Sequence, residues 1–241
     1  MNRYHSQYGQ DKFVNEVLFP DLQKGFFVDI GAHDGISLSN TYFFEKQKLW
    51  NGICFEPIPE IYEALKKNRT CIIKNACVGD GNRKVVFCKV DGPSNMLSGI
   101  FEHYSEQHFK RIQAEIAKFG GSYELIKVDM LRLSDLLEIG QEIHYLSIDT
   151  EGNELSILQS IDFEKNKFIS ITVENNYRDP AVKNFLKRMG FVLLARIKMD
   201  EVYIHRSHYD FSIFLRTSLW IGRRKWRNAV KKLGSQFYDK D

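Results

Sequence analysis

Residues 25–35 read GFFVDIGAHDG, and this run decides the fold. Phe26, Phe27, Val28 and Ile30 favour an extended chain, so the stretch is a short buried strand that stops at Gly31. Gly31 and Gly35 permit a tight turn and let a ligand approach the backbone. The next segment, LSNTYFFEKQ (38–47), has helical spacing. The turn therefore presents free amides and the positive end of a helix dipole beyond the carboxyl end of a strand. The spacing is G-x-x-x-G, not G-x-G-x-x-G, so the dinucleotide fingerprint is absent. Asp29, two residues ahead of the first glycine, suits a ligand bearing a cation such as an ammonium or sulfonium.

Outward from this turn the pattern is strand then helix, repeated. GICFEP (52–57) is a second strand stopped by Pro57, and IPEIYEALKKN (58–68) is an amphipathic helix. CIIKNACVG (71–79) reads as a third strand and KVVFCKV (84–90) as a fourth or an added hairpin arm. From Asp91 to Lys127 the pattern is less regular, with a charged helix ended by Gly120 and Gly121. LSDLL (133–137) starts a short helix that Ser134 is placed to cap. HYLSIDTEGNE (144–154) is strand, turn and helix; FISITVEN (168–175) is a strand; 180–190 is a helix; FVLLARI (191–197) and EVYIHR (201–206) close the domain as an antiparallel pair. The expected fold is α/β, a mostly parallel sheet between helical layers. Ligands of such sheets bind beyond the carboxyl ends of the strands.

The chain has 241 residues, 43% hydrophobic and 27% charged, which excludes disordered, collagen-like and coiled-coil classes. Four cysteines without a CxxC pair read as free thiols of a reducing compartment, not as a zinc site. No run approaches the ~18 apolar residues of a membrane span, and the N-terminus lacks the apolar core of a signal peptide. A cytoplasmic location is the expectation. The net charge of +3 is uneven: residues 221–241 carry +5 and the remainder −2, so the body makes no strong case for nucleic acid.

The residues after each strand form the candidate site. His33, Asp34 and Ser37 share the turn with Gly31 and Gly35. Glu56, followed by Pro57, ends the second strand 25 residues beyond Gly31, where a carboxylate can accept two ribose hydroxyls. Asn75 after the third strand can pair with an adenine edge through its amide, or serve a turn. Gln7 and Gln10, ahead of the first strand, either close over a cofactor carboxylate or begin a surface helix. Together these strand ends describe a pocket for an adenosine with a charged amino-acid tail, S-adenosyl-L-methionine (SAM).

The chain resembles the FkbM-type methyltransferases, a branch of the class I SAM-dependent enzymes. The matching segments are SQYGQDKFV (6–14), FFVDIGAHDGISLSNT (26–41), GICFEPIPEIYEALKKN (52–68), NACVGDG (75–81), LSDLL (133–137) and LSIDTEGNELSILQSIDF (146–163). The likeness implies the Rossmann-like, three-layer αβα fold with seven strands. It also implies that Asp29, Gly31, Gly35 and Glu56 hold SAM and that a hydroxyl, often of a sugar or polyketide-like product, is methylated.

On the acceptor side Asp149, Glu151 and Glu174 are the catalytic candidates, with Asp149 also near the cofactor. Methyl transfer needs the acceptor oxygen ~3–3.5 Å from the methyl carbon, in line with the leaving group, and a base for its proton. Direct base catalysis ranks above a divalent metal held by the same acids. His33, His103, His108 and His144 are further base candidates, with His33 the best placed. The reading is an O-methyltransferase for a carbohydrate or glycoconjugate hydroxyl. An RNA ribose methyltransferase and a non-catalytic module are the alternatives.

Residues 1–210 form the methyltransferase domain and 211–241 a basic amphipathic helix. Its stripe runs Leu215, Leu219, Gly222, Trp226, Val230, Leu233, Phe237. The preferred reading packs this stripe on the domain or a second subunit. The other lays it on the inner membrane face.

Overall fold

The computed structural model describes residues 3–238, with side chains through residue 226. In chain order the elements are α1 (Gln10–Phe13, continued by a π-helical turn over Val14–Leu18), β1 (Phe26–Ile30), α2 (Tyr42–Lys48), β2 (Asn51–Phe55), α3 (Pro59–Asn68), β3 (Ile72–Lys74), β4 (Cys77–Val78) and β5 (Arg83–Asp91). Then come β6 (Gly99–Ile100), α4 (Glu106–Phe119), β7 (Ser122–Leu131), β8 (Glu142–Ile148), α5 (Glu154–Ser160), β9 (Lys167–Glu174), α6 (Pro180–Arg188), β10 (Phe191–Ile197), β11 (Asp200–His205) and α7 (Phe211–Tyr238).

The main sheet has seven strands in the order β10-β11-β9-β8-β1-β2-β3. β11 runs antiparallel between β9 and β10, while the pairings among β9, β8, β1, β2 and β3 are parallel. The period of two along each strand builds one core on each face. Val28, Ile30, Ile53, Phe55, Leu146 and Ile148 meet Ile157 and Leu158 of α5 and Val182 and Leu186 of α6. Phe27, Cys54 and Tyr145 meet Phe13 of α1, Phe43 and Phe44 of α2, Leu65 of α3 and Ile213 of α7. The expected three-layer α/β architecture is therefore present.

A second sheet, β4-β7-β5-β6, stands against the carboxyl end of the first. It corrects three expectations. CIIKNACVG is not one strand: the chain breaks at Asn75 and Ala76, sending β3 to the large sheet and β4 to the small one. The Asn75 amide ties that break by donating to the carbonyls of Glu56 at 2.9 Å and Pro57 at 3.1 Å. SYELIKVDML (122–131) is a ten-residue strand that pairs with all of β5. Ser134 does not cap a helix; it lies inside a single 3-10 turn over Leu133–Asp135.

α7 differs most from its expected placement. Asp210 holds its start by accepting from the Ile213 amide at 2.9 Å and the Ser212 hydroxyl at 2.7 Å. Ile213 and Thr217 are buried against the body and Trp220 meets Phe13 edge-on at 4.9 Å. Leu215, Leu219 and Trp226 of the expected packing stripe are exposed on the other side. Val230, Leu233 and Phe237 lie outside the described side chains. No described helix is long and apolar enough to cross a membrane. The four cysteines are free thiols, with Sγ of Cys54 and Cys71 3.6 Å apart.

Candidate active site

The turn after β1 is fixed by its neighbours on both sides. The amides of Gly31 and Ala32 donate to the Phe55 carbonyl at 3.2 and 3.0 Å, and the Asp149 amide donates to the Ile30 carbonyl at 3.0 Å. Gly31 has φ 88° and a Cβ there would stand 1.9 Å from the Asp149 carbonyl oxygen. Gly35 has φ 80° and a Cβ would meet Leu65 at 2.6 Å and Arg69 at 2.7 Å. Both positions therefore need glycine for conformation and for space.

Arg69 holds this turn from behind. Its side chain has no exposure, and its guanidinium donates to the Glu45 carboxylate at 2.5 Å, the Thr41 hydroxyl at 3.0 Å and the Gly35 carbonyl at 3.2 Å. Asp29 belongs to this layer. Alternation along β1 turns it away from Val28 and Ile30, onto the side of Phe27. It accepts from the Thr41 hydroxyl at 2.5 Å. Burial raises its pKa against the pull of Arg69, Thr41 and Ser147.

Beyond the strand ends lies a cleft enclosing about 710 Å³, its open mouth included. Gly31, His33, Glu56 and Pro57 line it together with Asp149 and Glu151. Glu56 is 4% exposed, and its carboxylate accepts from the Ile58 amide at 2.8 Å. Burial pushes its pKa up to about 7, against the amides of Ile58 and His33. A buried carboxylate with spare acceptor capacity demands donors, and a vicinal diol supplies two. His33 Nε2 is likewise buried with no hydrogen-bond partner among the described residues. Ile58, Ile61, Ala76, Val78 and Phe87 give the same cleft apolar walls suited to a planar ring. These residues fit the adenosine half of SAM.

Acidic groups gather after the end of β8. Burial, then Glu174, Asp200, Glu154 and Asp29, push Asp149 well above the ordinary carboxylate range. Burial and Asp149 raise Glu151 to about 7, with Arg111 opposing at an Nη1–Oε2 distance of 3.7 Å. Burial, then Glu151 and Glu154, raise Glu174 to about 8, and its Oε2 has no hydrogen-bond partner among the described residues. Glu154 shapes the loop, accepting from the amides of Gly152 at 2.9 Å and Thr150 at 3.2 Å. Among the described residues no three His, Cys, Asp or Glu side chains converge as a metal-ligand set.

Residues 29–193 match the description of the methyltransferase FkbM domain. The chain belongs to the FkbM methyltransferase family. It is 26% identical to methyltransferase sdnD of Sordaria araneosa over 194 residues, 69% of this chain and 73% of that one. It also resembles the crystal structure of methyltransferase FkbM from Methylobacillus flagellatus KT, with TM-score 0.44 and 14% identity over 80% of this chain. The chain spans about half (48%) of that structure's length. For precorrin-6y C5,15-methyltransferase from Geobacter metallireducens GS-15 the TM-score is 0.35 and the identity 13%, over 81% of this chain and 84% of that one.

Within this FkbM-family chain the expected site residues divide into two groups. Gly31, His33, Glu56, Pro57, Asp149 and Glu151 line the cleft. Asp29, Asp34, Gly35, Ser37, Asn75, Glu174 and Gln7 do not. Asp34 is spent locally: it accepts from the amides of Ile36 and Ser37 at 2.9 and 2.7 Å and from the Ser37 hydroxyl at 2.6 Å. Burial works against its ionisation, but Ser37 and the Ile36 and Ser37 amides outweigh it and hold its pKa low. Asn75 uses its NH₂ on the backbone break, and Gln7 is exposed. Gln10 reaches Asp200 at 2.7 Å, so it bridges α1 to β11. His108 bonds the Leu97 carbonyl at 3.3 Å, and His144 pairs with Glu142 at 3.2 Å near the start of β8. His103 bonds Asn153, which lines the cleft.

Sequence reasoning missed Arg69 and the wall formed by Phe87, Asn95, Met96, Ser98, Gly99 and Ile100. Arg69 closes a helix rich in lysine, and nothing local marks it as buried. All of that wall except Phe87, which lies on β5, comes from the segment whose pattern read as irregular.

Proposed function

We propose that this methyltransferase uses SAM to methylate a hydroxyl of a carbohydrate or glycoconjugate precursor. The observation that carries the reading is one cleft lined both by buried Glu56 and the glycine turn and by Asp149 and Glu151 after β8. SAM, held by Gly31, His33 and Glu56, supplies an electrophilic methyl group. Glu56 accepts the ribose hydroxyls. Glu151, raised to about 7 by burial and Asp149, takes the acceptor hydroxyl's proton as general base. Arg111 moderates that rise, so the base stays available near neutrality. Small polar groups, Asn95, Ser98 and Asn153, line the cleft and suit a polyhydroxyl acceptor. The sugar class itself draws on the likeness to sugar-methylating members of the family.

The test is a labelled-methyl assay of the full chain against nucleotide sugars, oligosaccharides and short RNAs, with and without a chelator. Label in the sugar fraction, unaffected by chelation, supports the reading. Label only in RNA, no label at all, or loss on chelation restored by magnesium contradicts it.

A further inference from the structure

α7 carries two apolar faces, one more than docking on the body requires. At ~100° per residue, Ile213, Thr217 and Trp220 point to the body. Arg216 donates to the Val17 carbonyl at 2.7 Å and Arg224 to that of Tyr8 at 3.3 Å, so these two cations also help seat the helix. On the opposite side stand Phe211, Phe214, Leu215, Leu219 and Trp226, exposed by 73, 49, 43, 58 and 69%. They occupy an arc of about 140°, which makes them a continuous stripe and not scattered surface residues.

The charges around that stripe select its occupant. Arg223 and Lys225 are exposed at its two edges. Between Phe211 and Tyr238 the sequence has seven Lys and Arg and no Asp or Glu. Two copies meeting through this face would bring like charges together with no acid from the helix to offset them. An anionic surface complements it, and an aromatic and leucine face bordered by cations is the pattern of a helix lying in the plane of a membrane interface. We infer that the outward face of α7 docks this protein on an anionic lipid bilayer surface. The apolar stripe enters the headgroup boundary and the basic edges meet the lipid phosphates. The inference is independent of the acceptor, because none of these residues lines the cleft.

The experiment is sedimentation of the full chain with vesicles of phosphatidylcholine alone or equimolar with phosphatidylglycerol. The account expects binding to the anionic vesicles at least ~10-fold tighter than to the neutral ones, weakened by added salt. Leu215→Glu with Leu219→Glu should abolish it while leaving the melting temperature and SAM affinity unchanged. Arg223→Ala with Lys225→Ala keeps the apolar stripe and should reduce the preference for anionic vesicles. No binding, equal binding to both vesicles, insensitivity to both double variants, or a concentration-dependent dimer dissolved by the leucine variants would overturn the inference.

Discussion

Gly31 and Asp149 are in backbone contact across β1 and β8: a Cβ on Gly31 would stand 1.9 Å from the Asp149 carbonyl oxygen. The turn after β1 and the acidic loop after β8 are thereby tied together, reinforced by the Asp149 amide donating to the Ile30 carbonyl. Gly31→Ala must move one backbone away from the other and hold an alanine at φ 88°. The expected cost is about 1–3 kcal/mol or more. Calorimetric melting should show that loss, and SAM titration a fall in affinity of at least ~10-fold (~1.4 kcal/mol).

Arg69 sets the shape of the same turn from its buried side. Burial raises the Glu45 carboxyl, but Arg69, Lys46 and the Thr70 amide together outweigh it and bring the pKa down to about 2. Arg69→Met leaves Asp29 buried without its nearby cation and Glu45 with Lys46 alone at 2.8 Å, and breaking a buried pair typically costs ~3–5 kcal/mol. The melting temperature should drop by roughly 10 °C. Arg69→Lys should recover little of it, since one ammonium cannot replace the planar fork that reaches Glu45, Thr41 and Gly35.

Glu151 must be ionised to accept a proton. With its pKa at about 7, kcat should rise with pH across neutrality and level off above it. Glu151→Gln should lower kcat by ~10²–10⁴-fold while SAM affinity stays within a few-fold. A loss confined to SAM affinity would move Glu151 to the cofactor site.

The buried carboxyls have a second pH signature, in stability. Burial raises Glu174 to about 8, Glu56 to about 7 and Asp200 to about 6 in the folded chain. A carboxyl raised on folding adds stability while protonated and loses it as pH climbs from the unfolded value to the folded one. The ligand-free protein should therefore melt at falling temperature from about pH 4.5 to pH 8, on the order of 3 °C per pH unit for each such group. Glu174→Gln should flatten the upper part of that slope. A melting temperature that rises with pH over this window would contradict the cluster.

Much of this was legible from residues alone. β1, β2 and β8 are dense apolar runs ended by Gly, Pro or an acid, so both their existence and their carboxyl ends could be read, and Gly31, Glu56 and Asp149 with them. Side-chain direction was less legible. Asp29 looked like a ligand group, yet the alternation of Phe27, Val28 and Ile30 already turned it into the layer of Arg69. β7 was hidden because Tyr123, Leu125, Lys127 and Asp129 face water while Ile126, Val128 and Met130 pack inward, with two glycines and a charged helix just before it. α7 was amphipathic as expected, but its apolar residues serve two faces, and spacing alone did not say which one the body takes.

On the proposed reading, Glu56 receives the nucleoside half of SAM in this cleft. Isothermal titration of SAM into the folded wild-type chain and into Glu56→Gln tests it directly. Micromolar binding by the wild type is expected, weakened at least ~10-fold in the variant, because a buried carboxylate bonded to donor hydroxyls contributes ~1.5–3 kcal/mol. Undetectable binding by the folded wild type, or equal affinity in the two proteins, would contradict it.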